Sequence, residues 1–425
     1  MRKISRFTLI AAFIVLTFAF VAPGVAQDPV TINWWHISTQ EREAAFWQSL
    51  ADAYMAENPH VTIEITILEN NAFKERLVTV MQAGDPPDLF QSWGGGVLWS
   101  FADAGLVRNI APELEGEWKD SFAAQAALEL YGQNGEYYGV PWTWGAVGLF
   151  YNKALFEQAG LDPEAPPTTW DEFLAAVQAL KDAGITPITL GEGEKWPGHF
   201  WWVYLAIRLG GEEAFLKAYN REGSFADEPF VQAGVRLQEL IDLQPFPDSF
   251  LGMNYGDQET LMGNGEAAME LMGQWSPNVQ AGNSESGEGI GEDLGWFPFP
   301  MVEGGAGNPD DVMGGGDGFA VGANAPDETI DFLRFLTNVE NQRAASFFIT
   351  PVVHGVEDVY EDNPVTAAIV EARNNAPYFQ LYYDQFLPPA VGEAVNDAVE
   401  TLFAGVATPE EAAAAIEETA SFELE

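Results

Sequence analysis

Polar and apolar residues alternate at Val30, Ile32 and Trp34, which predicts a strand over 30–35. Ser38 and Glu41 form an S-x-x-E pattern that predicts a capping box opening a helix. Phe46, Leu50, Ala53 and Glu57 mark one face of that helix, and Asn58-Pro59 stops it. A second alternation, Val61, Ile63, Ile65 and Ile67, predicts a second strand. Phe73, Leu77, Val80 and Met81 follow at helical spacing, closed by Gly84, and a short third strand is expected over 88–91. Strand, helix, strand, helix, strand in this order is a parallel α/β unit. Its loops at 36–38, 69–71 and 92–96 leave the carboxyl ends of the strands, where such sheets bind ligands.

A second unit starts within 139–160, GVPWTWGAVGLFYNKALFEQAG, where an apolar run, an asparagine, a helical segment and a glycine stop follow one another. Thr169 to Glu172 is a second capping box, and a strand is expected at 185–190. A polar loop at 191–195 then enters an aromatic helix. Further helices are expected at 212–219, 229–243 and 258–263, with strands at 267–272 and 294–299 and glycine-rich, mobile loops at 282–292 and 304–316. Residues 313–321, MGGGDGFAV, predict a second crossing between the units. Helices are then expected at 326–336, 341–348, 364–374 and 389–403, and a last one behind the Thr408 to Glu411 capping box with Pro409 at its first position.

The length of 425 residues exceeds one ordinary core, so two lobes are expected. Arg2, Lys3 and Arg6, an apolar stretch over 7–22, and the small residues Gly24 and Ala26 predict a secretory signal peptide over 1–26; the alternative is a retained membrane anchor. Without it, 15 Lys and Arg stand against 64 Asp and Glu, a net charge of −49. Such a surface repels nucleic acid and anionic lipid, so neither is an expected partner. It suits a solubility or habitat adaptation, with calcium loading as the alternative. There is no cysteine, hence no disulfide and no lipid-anchoring thiol; a freely soluble exported protein is expected, in a periplasm or outside the cell.

Enzyme signatures are sparse. There is no His-Glu-x-x-His or Gly-x-Ser-x-Gly, and four histidines without cysteine supply few transition-metal ligands, so no metal and no cofactor is expected. Gly287, Gly289 and Gly291 sit among carboxylates that would repel a phosphate. Tyr382-Tyr383 could pair on ferric ion or pack near a cleft, and 64 carboxylates leave a two-carboxylate glycosidase open. The positive signal is aromatic: five of the 14 tryptophans, Trp93, Trp142, Trp144, Trp196 and Trp275, lie beside turn residues. A flat indole next to amides, carboxylates and a lysine suits a sugar, whose C–H face stacks while its hydroxyls hydrogen-bond. Asp317, between Gly316 and Gly318, can accept two such bonds. Trp170, Trp201, Trp202 and Trp296 are assigned to packing.

ENNAFKERL (69–77), AGDPPDLFQSWGGG (83–96), GLFYNKALFEQAGLD (148–162), EKWPGHFWW (194–202), MGQWSP (272–277) and GGGDGFAV (314–321) together resemble the extracellular solute-binding proteins of the carbohydrate type, family 1, which serve ABC importers and are similar in organisation to maltose-binding protein. The resemblance implies an α/β, two-lobe periplasmic-binding-protein fold with an interlobe cleft, the chain crossing the hinge more than once. It implies lobes of 27–141 with 314–348 and of 142–313 with 349–425. The ligand would be a sugar or small oligosaccharide, with xylo-oligosaccharides and raffinose-type sugars as candidates, and the partners would be ABC permease subunits. A monomer without enzymatic activity is expected; a secreted carbohydrate-active enzyme and a two-lobe binder of ferric ion or polyamine are the alternatives. By the same resemblance His36, Glu69 and Trp93 are ligand contacts of the first lobe, Trp275 is the main stacking ring of the second, Lys195 and Trp196 lie in a loop feeding the cleft, Asp317 lies at the returning hinge and Tyr383 in a final cleft-facing stretch. Trp144 is taken as the floor of the site.

Overall fold

The computed structural model describes residues 28–360 and 362–424; the expected signal segment, 1–26, lies outside them. The first sheet has five strands in the order Val61–Ile67, Val30–His36, Leu89–Ser92, Gly318–Val321 and Gly139–Pro141. The first three run parallel, and Gly318–Val321 returns antiparallel to both of its neighbours. Trp34 stands at the centre of this core, its ring 5.1 Å from Trp47, 5.4 Å from Phe319 and 5.2 Å from Phe332, all edge-on. Quadrupoles prefer this arrangement over a face-to-face stack.

The second sheet has four strands in the order Leu294–Phe297, Gly148–Asn152, Ala267–Met272 and Thr186–Ile188. Every residue of Gly148–Asn152 and Ala267–Met272 is buried, as sheets covered on both faces require. Its core stacks Tyr204 on Phe299 with ring centroids 4.6 Å apart and planes 3° from parallel. Trp170, Trp201 and Trp202 fill the same core.

Between the two sheets lies a third of three short strands, Gly145–Ala146, Val312–Gly315 and Phe379–Leu381. The chain passes between the two cores around 142–146 and again around 313–318. A third passage follows Val356, because Ile349, Val352, Val353 and Val356 pack in the first core. The sequence reading put 349–425 and Trp142 in the second lobe. Both assignments change: Ile349 to Val356 and Trp142 pack in the first core, the Trp142 ring 4.6 Å from Trp47, and Trp144 packs there too, its carbonyl accepting the Thr350 hydroxyl.

Several local expectations shift for physical reasons. The capping box at Ser38 does not form. The helix is Glu41–Glu57 with Gln40 before it, and the Ser38 hydroxyl instead accepts the Trp47 indole N–H at 2.9 Å. The boxes at Thr169 and Thr408 do form. The expected loop at 92–96 already enters a helix, Gly95–Asp103. The aromatic helix from Trp196 breaks at Gly211, whose φ of +62° is not helical, and the helix expected at 212–219 follows it to Tyr219. The loop expected to be mobile at 304–316 is held. The buried Arg208 guanidinium donates to the carbonyls of Phe299, Pro300, Asn308 and Asp311, and the loop's end is the strand Val312–Gly315.

Candidate functional site

The parallel strands of the first sheet end in 36–40, 69–70 and 91–93, and these segments form one wall of a cavity of about 420 Å³. Residues of the second lobe, at 194–200, 254–256 and 274–283, form the other, with Tyr382, Asp384 and Gln385 closing the base. The two walls touch. Asn278 donates to Glu43, Lys74 Nζ lies 3.4 Å from an Asp384 oxygen, and the Gln40 amide rests on Gly282, where a Cβ would stand 2.0 Å from it. Cleft volumes of about 300–1,000 Å³ are typical of small-molecule sites.

The aromatic surfaces are positioned by turns. Trp93 follows the strand Leu89–Ser92 and is half-buried; Lys74 Nζ lies 5.0 Å above its ring. Gly94 and Gly95 hold φ of +73° and +66° immediately after it, a region where L side chains are strained. Trp275 follows the strand Ala267–Met272 and folds back over Gly273, where a Cβ would stand 2.1 Å from the indole. Its N–H donates to the Tyr255 hydroxyl at 2.9 Å. Trp196 opens the long helix, donates to Glu194 at 3.1 Å and meets Tyr255 edge-on at 4.9 Å. Behind Trp275 the Ser276 hydroxyl lies between the carboxyls of Glu259 and Glu270, while Gln258 and Gln280 donate to Glu270 at 3.1 and 2.7 Å. Burial raises both carboxyl pKa values. This buried hydrogen-bonded cluster fixes the turn that carries Trp275.

Of the residues singled out from sequence, Glu69, Trp93, Trp196, Trp275 and Asp317 line the cavity together. Glu69 also caps the helix Asn70–Gln82, accepting from the Asn71 and Ala72 amides at 3.0 and 3.3 Å. Asp317 sits in the crossing, its carbonyl taking the N–H of Trp142 and Thr143 at 2.7 and 3.0 Å. Desolvation pushes its carboxyl up to about 6, against the opposing pull of Gln91, Trp93 and Lys74.

Four others are placed elsewhere. His36 is fully buried against Trp34, and burial holds it neutral by pulling its pKa down to about 3; Nδ1 accepts the Ser38 amide at 3.3 Å, so it shapes the loop from beneath. Trp144 stacks on Phe379 at 4.1 Å inside the hinge. Lys195 turns away from the cavity to Asp397 and Glu400, at 2.5 and 3.4 Å. Tyr383 points into the second core against Phe215, 4.9 Å away. Tyr383 opens the short helix Tyr383–Phe386, and it is Tyr382, just before that helix, that reaches the cavity.

Sequence reasoning passed over Glu43, Lys74, Glu194, Tyr255, Gln274 and Asp384, all of which line the cavity. Glu43 was masked by its helix, where one turn-facing carboxylate resembles any solvated one. Its carboxyl is pushed up to about 7, first by burial and then by the Asp317 charge, while Ser38 and Asn278 pull it down. Five wall residues carry buried polar atoms with no partner among the described residues: the Asn70 side-chain oxygen, the Gln91 side-chain NH2, the indole N–H of Trp142, both ends of the Gln274 amide and the Tyr382 hydroxyl. A second cavity of about 430 Å³ shares Lys74, Trp93, Glu194 and Trp196 with the first and is bounded by Phe101, Lys195, Glu393 and Asn396.

Two lobes meeting over an aromatic cleft, joined by several chain crossings, define a binding protein that closes on a solute. The chain belongs to the bacterial extracellular solute-binding protein family, which its residues 38–343 match. It is 25% identical to a probable sugar-binding periplasmic protein of Rhizobium meliloti, over 97% of each chain. It is 27% identical to the maltotriose-binding protein of Pyrococcus abyssi, over 63% of this chain and 53% of that one. Among solved structures it resembles one from work on xylan utilization by Caldanaerobius polysaccharolyticus, with TM-score 0.85, 27% identity and coverage of 91% of this chain and 99% of that one. It also resembles a chitin oligosaccharide binding protein, with TM-score 0.85, 25% identity and coverage of 93% and 99%.

Proposed function

We propose that this protein is the extracytoplasmic sugar receptor of an ABC importer and that its ligand is a small oligosaccharide. The observation that carries the reading is the pairing of indole faces with unpartnered polar groups on the walls of one cleft. Trp93 belongs to one lobe and Trp196 and Trp275 to the other, with Trp142, Gln274 and Tyr382 between them. A buried polar group without a partner costs about 1–3 kcal/mol, so a ligand that supplies both donors and acceptors stabilises the closed cleft. A pyranose does this around its rim while its C–H face stacks on indole. The second cavity, which shares Trp93 and Trp196 with the first, gives room for more than one sugar unit. Closure is a hinge motion, driven by contacts that exist only when both lobes meet the ligand. The protein acts as a monomer, hands the sugar to membrane permease subunits and performs no chemistry on it.

The test is a panel of xylo-, malto-, raffinose- and chito-oligosaccharides, with thermal unfolding read beside product chromatography. A ligand at a hundred times its Kd adds about 2.7 kcal/mol, enough to raise the midpoint by several degrees. Stabilisation without turnover is the expected result. Reducing ends accumulating with time would make the protein an enzyme instead.

A further inference from the structure

The charge inventory of the cleft is lopsided. Glu43, Glu69, Glu194, Asp317 and Asp384 line the main cavity, and Lys74 is the one basic side chain among its described lining residues, a formal charge of −4. Lys74 is already engaged, 3.4 Å from Asp384 and above the Trp93 ring. The acidity of the whole chain does not account for this. Acidic residues that serve solubility belong on the open surface, where hydration is complete, whereas carboxylates lining an enclosed cleft cost desolvation.

Resting on the reading of this cleft as a sugar site, we propose that its ligand is a cationic sugar: a small oligosaccharide carrying free, protonated amino groups, as in a short glucosamine oligomer. The acidic set alone does not make a site. The second observation is the enclosed wall of Trp142, Gln274 and Tyr382, each more than nine-tenths buried and each with unpartnered polar atoms. These atoms discriminate between cations. A linear polyamine offers donors but no hydroxyl acceptor, so the Trp142 indole N–H and the Gln274 amide N–H would stay unpaired. A neutral sugar meets those groups and can donate hydroxyls to the carboxylates, but it brings no positive charge to offset the formal excess of four. An amino sugar supplies hydroxyls for the first set and ammonium groups for the second, and the ammonium hydrogen bonds are charge-assisted. Anionic solutes are disfavoured by the same field. Lys195 lies outside this cavity, at the edge of the second one, in ion pairs with Asp397 and Glu400.

The state of the carboxyls agrees. Burial raises Glu43 to about 7, Asp317 to about 6 and Glu194 in the same direction, so Glu43 and Asp317 hold part of this charge as protons near neutral pH. An ammonium placed among them favours the ionised forms, and binding releases those protons.

The experiment is titration calorimetry of the full mature protein at about pH 6 and low salt, in two buffers of different ionisation enthalpy. The probes are a glucosamine trimer, its N-acetylated counterpart, xylotriose and spermidine. We expect the glucosamine trimer to bind at least about ten-fold tighter than the acetylated trimer, with proton release and with a preference that shrinks as NaCl is added. Asp317→Asn should narrow that preference. Equal or tighter binding of the acetylated trimer or of xylotriose overturns the cationic assignment and leaves the sugar receptor standing. Binding of spermidine alone, or of none of the four, overturns both.

Discussion

Glu43 gives the sharpest test of the electrostatics. Its carboxyl lies between the lobes, in reach of Asn278 and Ser38 and within the field of Asp317, and its pKa rises from 4.5 to about 7. For an acid whose folded pKa is raised, the folded state keeps its proton where the unfolded chain has lost it. Stability is therefore full below about 4.5 and falls as pH rises toward 7. At 1.36 kcal/mol per unit the span sets a ceiling of about 3 kcal/mol, and about 1–2 kcal/mol is the realistic expectation for a group that is only partly enclosed. Glu43→Gln keeps the oxygen that accepts from Asn278 and removes the charge. Urea unfolding of both proteins from about pH 5 to about pH 9 should show curves that coincide at the acid end and separate by about 1–2 kcal/mol at the alkaline end, the variant being the more stable. The overall self-repulsion of the acidic chain is nearly common to both and cancels in the difference. A gap that does not change with pH would refute the reasoning, because it would place the effect in packing or hydrogen bonding and not in ionisation.

Two further outcomes are expected. Trp275→Ala should weaken binding of whichever sugar the panel selects by about ten-fold or more, the scale of a stacking anchor worth about 2 kcal/mol, whereas unchanged affinity by calorimetry would make Trp275 a packing residue. Thermal stability should rise between low and molar NaCl as salt screens a net charge of −49; a flat or falling midpoint counts against self-repulsion as the controlling term.

The regular scaffold was legible because its physics is local. Alternation at Val61, Ile63, Ile65 and Ile67 and the capping box at Thr169 are each set by neighbours within one element, and both are found in place. The Ser38 box failed because the helix starts only at Glu41, and the Ser38 hydroxyl accepts the Trp47 indole N–H from farther along that same helix. The short helices Ala111–Leu114, Glu117–Ser121 and Gln125–Glu129 are too brief to show a period of 3.6 residues. In the site, Trp93 and Trp275 were found because tryptophan beside glycine in a turn has no helix face to fill. Glu43, Gln274 and Asp384 were missed because an acid or amide in a chain rich in them carries no mark until a second lobe covers it. The Tyr382 and Tyr383 pair shows the limit most plainly: chemistry chose the pair, and only the direction of each side chain chose between them.

Asp317 occupies an unusual mechanical position. It is bonded into the strands that join the lobes, through the amides of Trp142 and Thr143, yet it also lines the cavity. A group at a pivot has almost no lever arm, so it hardly moves as the jaws swing, whereas Trp93 and Trp275, farther out, sweep through the full stroke. On the proposed reading of the cleft, Asp317 would therefore offer the ligand nearly the same carboxyl position throughout the swing.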